Sequence, residues 1–186
     1  MKKVFVLLMV VVLSLSMFIG CSNNNENENM NANEDMNAND DSAEEVDVVT
    51  TASIVTDADA FVSALSADGT WIAAALNDIV LEEALVVEGE FTNKDAPARK
   101  IGLYTQDADH VIIDRFTLTV PSITVKSENL SIKGGVVKGD IYVEANGFSL
   151  SEVVIEGNIY FASQEYKDSF VMDEENSEVT GSMEVQ

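Results

Sequence analysis

Apolar and polar positions alternate between residues 138 and 185 in a short phrase that occurs three times. Lys138-Gly139-Asp140-Ile141-Tyr142-Val143 returns eighteen residues later as Glu156-Gly157-Asn158-Ile159-Tyr160-Phe161, and twenty-four after that as Thr180-Gly181-Ser182-Met183-Glu184-Val185. Each copy is a Gly, a small polar residue and an apolar–polar–apolar triplet. Period two puts Ile141 and Val143 on one face of a strand and Tyr142 on the other. The same eighteen-residue step relates Leu130-Ser131-Ile132 to Phe148-Ser149-Leu150, Val136 to Val154, and Ile123-Thr124-Val125 to Ile141-Tyr142-Val143. Three residues make no stable strand alone, so copies must stack to bury a continuous apolar face. The pattern predicts an all-β domain built as a parallel β-helix. Each coil has about eighteen residues in three short strands and rises roughly 4.8 Å. Antiparallel hairpins also alternate, but they do not require the same triplet in the same phase three times over.

Upstream the pattern is looser. Asp57 to Ala67 reads as a helix, with Asp57 as cap and Ala58, Phe61, Val62 and Leu65 on one side, ending at Asp68-Gly69. Such a helix, placed before the first coil, would cover the open end of the stack. Trp71-Ile72, Ile79 to Leu81 and Leu85 to Val87 are the strands expected of a first coil, with Asn77-Asp78 as a turn. Asn93 to Lys100, with Pro97 and the basic pair Arg99-Lys100, reads as an excursion loop. Ile101 to Thr105, Val111 to Ile113 and Phe116 to Val120 are expected to continue the stack, with Asp107-Ala108-Asp109 between them. Before Ile123 the step is eighteen or a few more. Five or six coils result, roughly 25 to 30 Å tall.

The amino-terminal quarter has a different character. Lys2-Lys3 leads an apolar run from Val4 to Leu13, then Phe18-Ile19-Gly20-Cys21. A basic start, a short apolar core and a small residue before the cut describe a secretory signal over residues 1–20. The Gly20-Cys21 junction resembles the lipobox of bacterial lipoproteins, with Phe18 where that family usually has Leu. The resemblance implies lipidation of the Cys21 sulfur, cleavage before Cys21 and acylation of its new amino group. Two or three acyl chains suffice for stable anchoring in a bilayer. An ordinary signal peptide with an incidental cysteine is the alternative. Cys21 is the chain's one cysteine, so no intramolecular disulfide is available. Residues 21–49 then read as a disordered tether: residues 22–49 carry nine acids, many Asn and no Lys or Arg or aromatic residue. The folded domain is expected over 50–186.

Charge narrows the partners. The chain holds 33 acids against 10 bases, net −23, which argues against nucleic acid. Within the domain, residues 50–93 have eight acids and no base, and 139–186 have eleven acids and Lys167. Seven of the domain's eight bases fall between, in residues 94–138. The glycine-plus-triplet pattern of residues 121–186 resembles bactofilins, polymer-forming bacterial β-helix proteins, and the wider pectate-lyase-like group. The second likeness directs attention to Asp107, Asp109 and Asp114 near Arg115. That cluster is short, and the long loops that build a substrate cleft are missing. His110, beside Asp109, has no second His or Cys with which to share a metal. No catalytic residue, metal or cofactor is assigned.

The stacking register instead singles out an outward row, Thr124, Tyr142, Tyr160 and Glu184. Its tyrosines either stack on each other or present an aromatic platform to a sugar or a protein partner. Across coils, Lys126 should pair with Glu144 and Lys138 with Glu156. With an eighteen-residue step, Arg115 and Lys133 make a small basic spot fit for an anion. Met183-Glu184-Val185 is a strand with no covering helix after it, and an open edge invites self-association. The reading is an extracytoplasmic, membrane-anchored lipoprotein serving as a non-enzymatic cell-envelope scaffold or binding module. Two alternatives are a carbohydrate-binding or carbohydrate-active protein using the tyrosine face, and a self-assembling bactofilin-like element.

Overall fold

The structure, a computed structural model, describes residues 53–186. The expected signal at 1–20, Cys21 and the tether to residue 49 lie outside the described residues. The described chain is mostly β-strand, and its two principal sheets are parallel. One sheet holds six strands in chain order: Ser53–Val55, Ile72–Ala75, Arg99–Gly102, Leu130–Lys133, Ser149–Ser151 and Val171–Met172. In the other, Ile79–Val80 and Leu85–Val87 lie against Thr117–Val125, which pairs with Val136–Val143. Beyond these come Val154–Glu156 and Ile159–Phe161, and then Glu178–Val179 and Met183–Val185. From Ile72 onward the chain visits the two sheets alternately, and residues from both form one buried apolar cluster.

The eighteen-residue step is the observed register in the middle of both sheets. Ile141, Tyr142 and Val143 lie opposite Ile159, Tyr160 and Phe161. Ser131 is opposite Ser149, Val136 opposite Val154, and Ile123 opposite Ile141. The third copy stacks in turn, with Ile159 opposite Met183. Each position of the repeated phrase has its own physical cause. A Cβ at Gly157 would overlap the Gly139 carbonyl oxygen, and one at Gly181 would overlap that of Gly157, so only glycine lets the backbones pass this closely. The small polar residue links neighbouring strands. Asp140 Oδ1 accepts from the Asn158 backbone N–H at 2.8 Å and from Asn158 Nδ2 at 3.0 Å. Asn158 Oδ1 in turn accepts from the Ser182 N–H at 3.0 Å. Ile141, Val143, Ile159 and Phe161 are fully buried, each worth ~1.5–3 kcal/mol for a large side chain removed from water.

Elsewhere the step is longer, and the additional residues have identifiable uses. Thr119 pairs with Lys138 and Ser122 with Asp140, so Val120-Pro121 stands opposite Gly139 alone, a bulge that accommodates the proline. Ile72 lies opposite Lys100, twenty-eight residues on, and Lys100 opposite Ser131, thirty-one on. The first interval contains an antiparallel hairpin of Thr92–Asn93 with Ala96–Pro97, turned by Lys94 and Asp95 at φ 53° and 62°. The second contains a hairpin of Tyr104–Gln106 with Ile112–Arg115. Two expectations are corrected here. Val111 to Ile113 does not continue the parallel stack but forms an exposed hairpin arm, Val111 and Ile113 being 60% and 62% exposed. The excursion stops before Arg99 and Lys100, which belong to the parallel sheet.

Arg99 is the larger surprise, because alternation along Arg99–Gly102 turns its side chain inward and leaves it 1% exposed. Its Nη2 donates to the carbonyls of Ala64 and Ser66, both at 3.0 Å, at the end of the helix Ala58–Leu65. The Phe91 ring lies 3.8 Å from the guanidinium carbon. Burial lowers the pKa to about 10, which leaves a cation at neutral pH. The negative end of the helix and the ring face supply the compensating potential. Nε and Nη1 have no acceptor among the described residues.

The helix itself obeys the expected logic, with one change of face. Asp57 caps it by accepting from the Ala60 N–H at 2.9 Å, and Phe61, Ala64 and Leu65 are buried. Val62, expected on that face, is exposed. A strand, Ser53–Val55, precedes the helix and pairs with Ile72–Ala75, so the helix does not stand before the first strand. A second helix, Gln164–Asp168, unforeseen in the sequence, takes up part of the longer last step. Phe170, just after it, packs on Phe148 and Phe161 with ring centroids 5.6 and 5.5 Å apart.

Gly157→Ala should destabilise the domain by about 2 kcal/mol or more, since the added methyl meets backbone rather than a movable side chain. A urea unfolding midpoint unchanged from that of the parent would contradict the close-passage account.

Candidate functional site

The four residues of the outward row are in register, and Val86 adds a fifth that was not expected. Val86 lies opposite Thr124, Thr124 opposite Tyr142, Tyr142 opposite Tyr160, and Tyr160 opposite Glu184. The tyrosine rings stack with centroids 5.2 Å apart and planes 29° from parallel. This contact contributes ~0.5–1.5 kcal/mol beyond the area it buries. The stack uses one face of each ring on the other. Desolvation by these neighbours raises the pKa of Tyr160, with Asp140, Tyr142 and Glu184 acting in the same direction. The hollow beside the pair, lined by Glu144, Ala162 and Gln186 among others, is ≈ 170 Å³. That is well under the roughly 300–1,000 Å³ of usual small-molecule pockets.

Arg115 and Lys133 do come together, but around a carboxylate that the sequence did not flag. Arg115 Nη2 is 3.1 Å from Glu152 Oε2, and Lys133 Nζ is 3.0 Å from Glu152 Oε1. Arg115 Nη1 also donates to the Glu152 backbone carbonyl at 2.7 Å. The expected free basic spot is therefore corrected to an ion triad. Its geometry ties the hairpin carrying Arg115 to the turn at Glu152, where φ is 53°. The step between the neighbouring strands is nineteen rather than eighteen, Thr117 lying opposite Val136, so Arg115 does not stack on Lys133 in a ladder. Nothing in the local sequence links residues 115 and 152; only the hairpin brings them together.

Lys100 and Tyr104 extend this region. Lys100 Nζ donates to the Tyr104 hydroxyl at 2.8 Å, and Lys133 Nζ lies 5.6 Å from the same ring. Of the two expected charge ladders, Lys138–Glu156 forms at 3.4 Å. Lys126 and Glu144 form no ion pair among the described residues. Lys126 instead borders a groove with Phe91, Pro97 and Glu128.

The acids near His110 are used locally. Asp107 Oδ1 accepts from the N–H groups of Asp109 and Val111, both at 2.9 Å, closing the hairpin turn. Asp114 accepts from Thr105 Oγ1 at 3.0 Å. His110, at φ 64°, has its Nδ1 2.9 Å from Gln106 Nε2. Among the described residues no cluster of His, Cys, Asp and Glu has the geometry to hold a metal ion.

The strand Met183–Val185 lies at the margin of its sheet, paired on one side with Ile159–Phe161. Met183 and Val185 occupy the inward positions of the repeated phrase, yet they are 38% and 39% exposed where Ile159 and Phe161 are 0%. Lys167 Nζ donates to the Met183 carbonyl at 2.9 Å and so covers part of this edge. No family model, curated protein or solved structure matches the chain.

The triad carries a pH signature. The hydrogen bond from Lys133, with Arg115 adding to it, holds the Glu152 carboxyl below its ordinary pKa. A folded-state pKa below the unfolded one stabilises the domain above the usual carboxylate range, and the effect is lost as pH falls through the folded value. Wild type should therefore exceed Glu152→Gln in stability by ~0.2–1 kcal/mol at neutral pH. The gap should close on acidification, and thermal unfolding across pH checks it. A gap that persists unchanged at acid pH contradicts the assignment.

Proposed function

We propose that this protein is a bacterial lipoprotein, held to the extracytoplasmic face of a membrane through acylated Cys21, whose domain is a small parallel β-helix. It serves as a non-enzymatic scaffold or binding module of the cell envelope. The anchor rests on one observation, Gly20-Cys21 at the end of a basic-then-apolar leader. The solenoid reading draws support from parallel registers at eighteen residues in both sheets and from the chain's alternate visits to them. Six strands in one sheet correspond to six coils in this reading. The acidic segment 22–49 supplies a spacer that keeps the domain clear of anionic lipid headgroups.

The anchor is tested by expressing the full chain in a bacterium with and without Cys21→Ser. The parent should fractionate with membranes and take up an alkynyl fatty acid, and the variant should do neither. A parent found only in the soluble fraction and without label would remove the lipoprotein reading.

A second reading, self-assembly of bactofilin-like type, is favoured by the exposed Met183 and Val185 on a marginal strand. The chain lacking residues 1–20 and carrying Cys21→Ser should then show mass rising with concentration in light scattering, and Met183→Lys should abolish the rise. A strict monomer at high protein and high salt rejects this reading.

A further inference from the structure

We infer that the groove between the helix Ala58–Leu65 and the segment Val80–Ala84 is a docking site for a short cationic segment of another protein, one that carries aliphatic side chains. The groove measures ≈ 550 Å³; Ala58, Asp59 and Val62 stand on its helix side and Val80, Glu82 and Glu83 on the other. Val62 and Val80 are 46% and 58% exposed, although each belongs to a regular element whose other apolar residues are mostly covered. Exposed aliphatic groups facing each other across a groove give an occupant apolar surface to bury.

Charge selects the occupant. Asp59, Glu82 and Glu83 are exposed at the rim and make no ion pair among the described residues. No Lys or Arg occurs from Ser53 to Asn93, so this end of the domain has no internal cation to spare for them. Of the bases further along, Arg99 bonds helix carbonyls, Arg115 and Lys133 hold Glu152, Lys138 holds Glu156, and none of Lys94, Lys100 and Lys126 lines the groove. An acidic peptide is repelled here. A purely polar basic peptide satisfies the rim and leaves the valines wet. A segment mixing Lys or Arg with Leu, Ile or Val satisfies both, with the rim giving on-rate and specificity and the floor giving burial.

The test uses residues 21–186 with Cys21→Ser and three short fluorescein-labelled peptides, alternating Lys-Leu, Lys-Ser and Glu-Leu, read by anisotropy. The Lys-Leu peptide should bind, Lys-Ser at least about tenfold more weakly, and Glu-Leu not at all. Glu82→Lys with Glu83→Lys, and separately Val62→Ser with Val80→Ser, should each weaken the Lys-Leu peptide by about tenfold or more. All four positions are exposed, so circular dichroism should be unchanged. The remote pair Glu174→Lys with Glu175→Lys should leave binding unchanged. Equal binding of Lys-Ser, or equal loss from the remote pair, would mean diffuse attraction to an acidic domain and would overturn the site. Concentration-dependent self-association that the groove variants abolish would assign the groove to a second copy and overturn the occupant. Because the domain is tested without lipid, these outcomes are independent of whether Cys21 anchors the chain.

Discussion

One backbone passes over another at Gly139, Gly157 and Gly181 with no room for a side chain between them. That closeness fixes both the spacing and the phase of the strand residues after each glycine. With the glycines superposed, the side chain of Asp140 accepts from the backbone amide of Asn158, and that of Asn158 from the amide of Ser182 on the following strand. The residue after each is then obliged to point inward and the next outward. Ile141 meets Ile159 in the core, and Tyr142 meets Tyr160 outside it. Burial, ladder hydrogen bonds and aromatic stacking are consequences of the same superposition, and an error of one residue at the glycine would reverse all of them.

This is why the stretch from Ile123 to Phe161 could be read from the sequence. The same demand recurs at Gly139 and Gly157 on neighbouring strands, so the same residue types recur there eighteen residues apart. The regions that resisted reading are those where the demand comes from elsewhere in the fold. Val111 to Ile113 is as apolar as a buried strand but lies on an exposed hairpin, and no local property separates the two cases. Glu152 is an ordinary polar turn residue until a hairpin brings Arg115 to it. Arg99 is different, because a signal was present. Period two places Arg99 on the same face as Ile101, and the inward position is a consequence of that alternation. The chemistry of an arginine beside a lysine argued for a loop, and the period was the better guide. The aromatic row was legible as a register, whereas the choice between mutual stacking and an open platform needed ring positions.

The bases of the central band illustrate how composition misleads about a surface. Residues 94–138 hold most of the domain's positive charge, which by composition alone looks like a patch for an anion. In the fold part of that charge is engaged internally. Arg99 closes the end of a helix, Arg115 and Lys133 share Glu152, and Lys138 meets Glu156. The acids are concentrated toward the two outer portions of the sheets, and of the central bases Lys94 and Lys126 make no ion pair among the described residues. The electrostatic face presented to partners is therefore more negative than the local sequence of the middle suggests, and a ligand would have to be chosen by the ends.

Those ends are finished differently, and the difference has a physical reading. Near the first strands, Phe61 and Leu65 are completely buried under a capped helix that Arg99 bonds at its last carbonyls, so the apolar interior is closed and only the helix flank is left open. Near the last strands, Phe170 covers Phe148 and Phe161, but Met183 and Val185 keep more than a third of their surface in water. Their inward orientation is dictated by the glycine register, not by any burial they achieve. Lys167 and Glu184 oppose strand addition at that margin, one by occupying an edge carbonyl and the other by its charge. A partner at this end must therefore displace a lysine and accept a carboxylate to gain two partly buried side chains. The groove at the other end asks for no such displacement, since its carboxylates make no ion pair among the described residues and its valines are exposed. On energetic grounds the helix end is the easier surface to occupy.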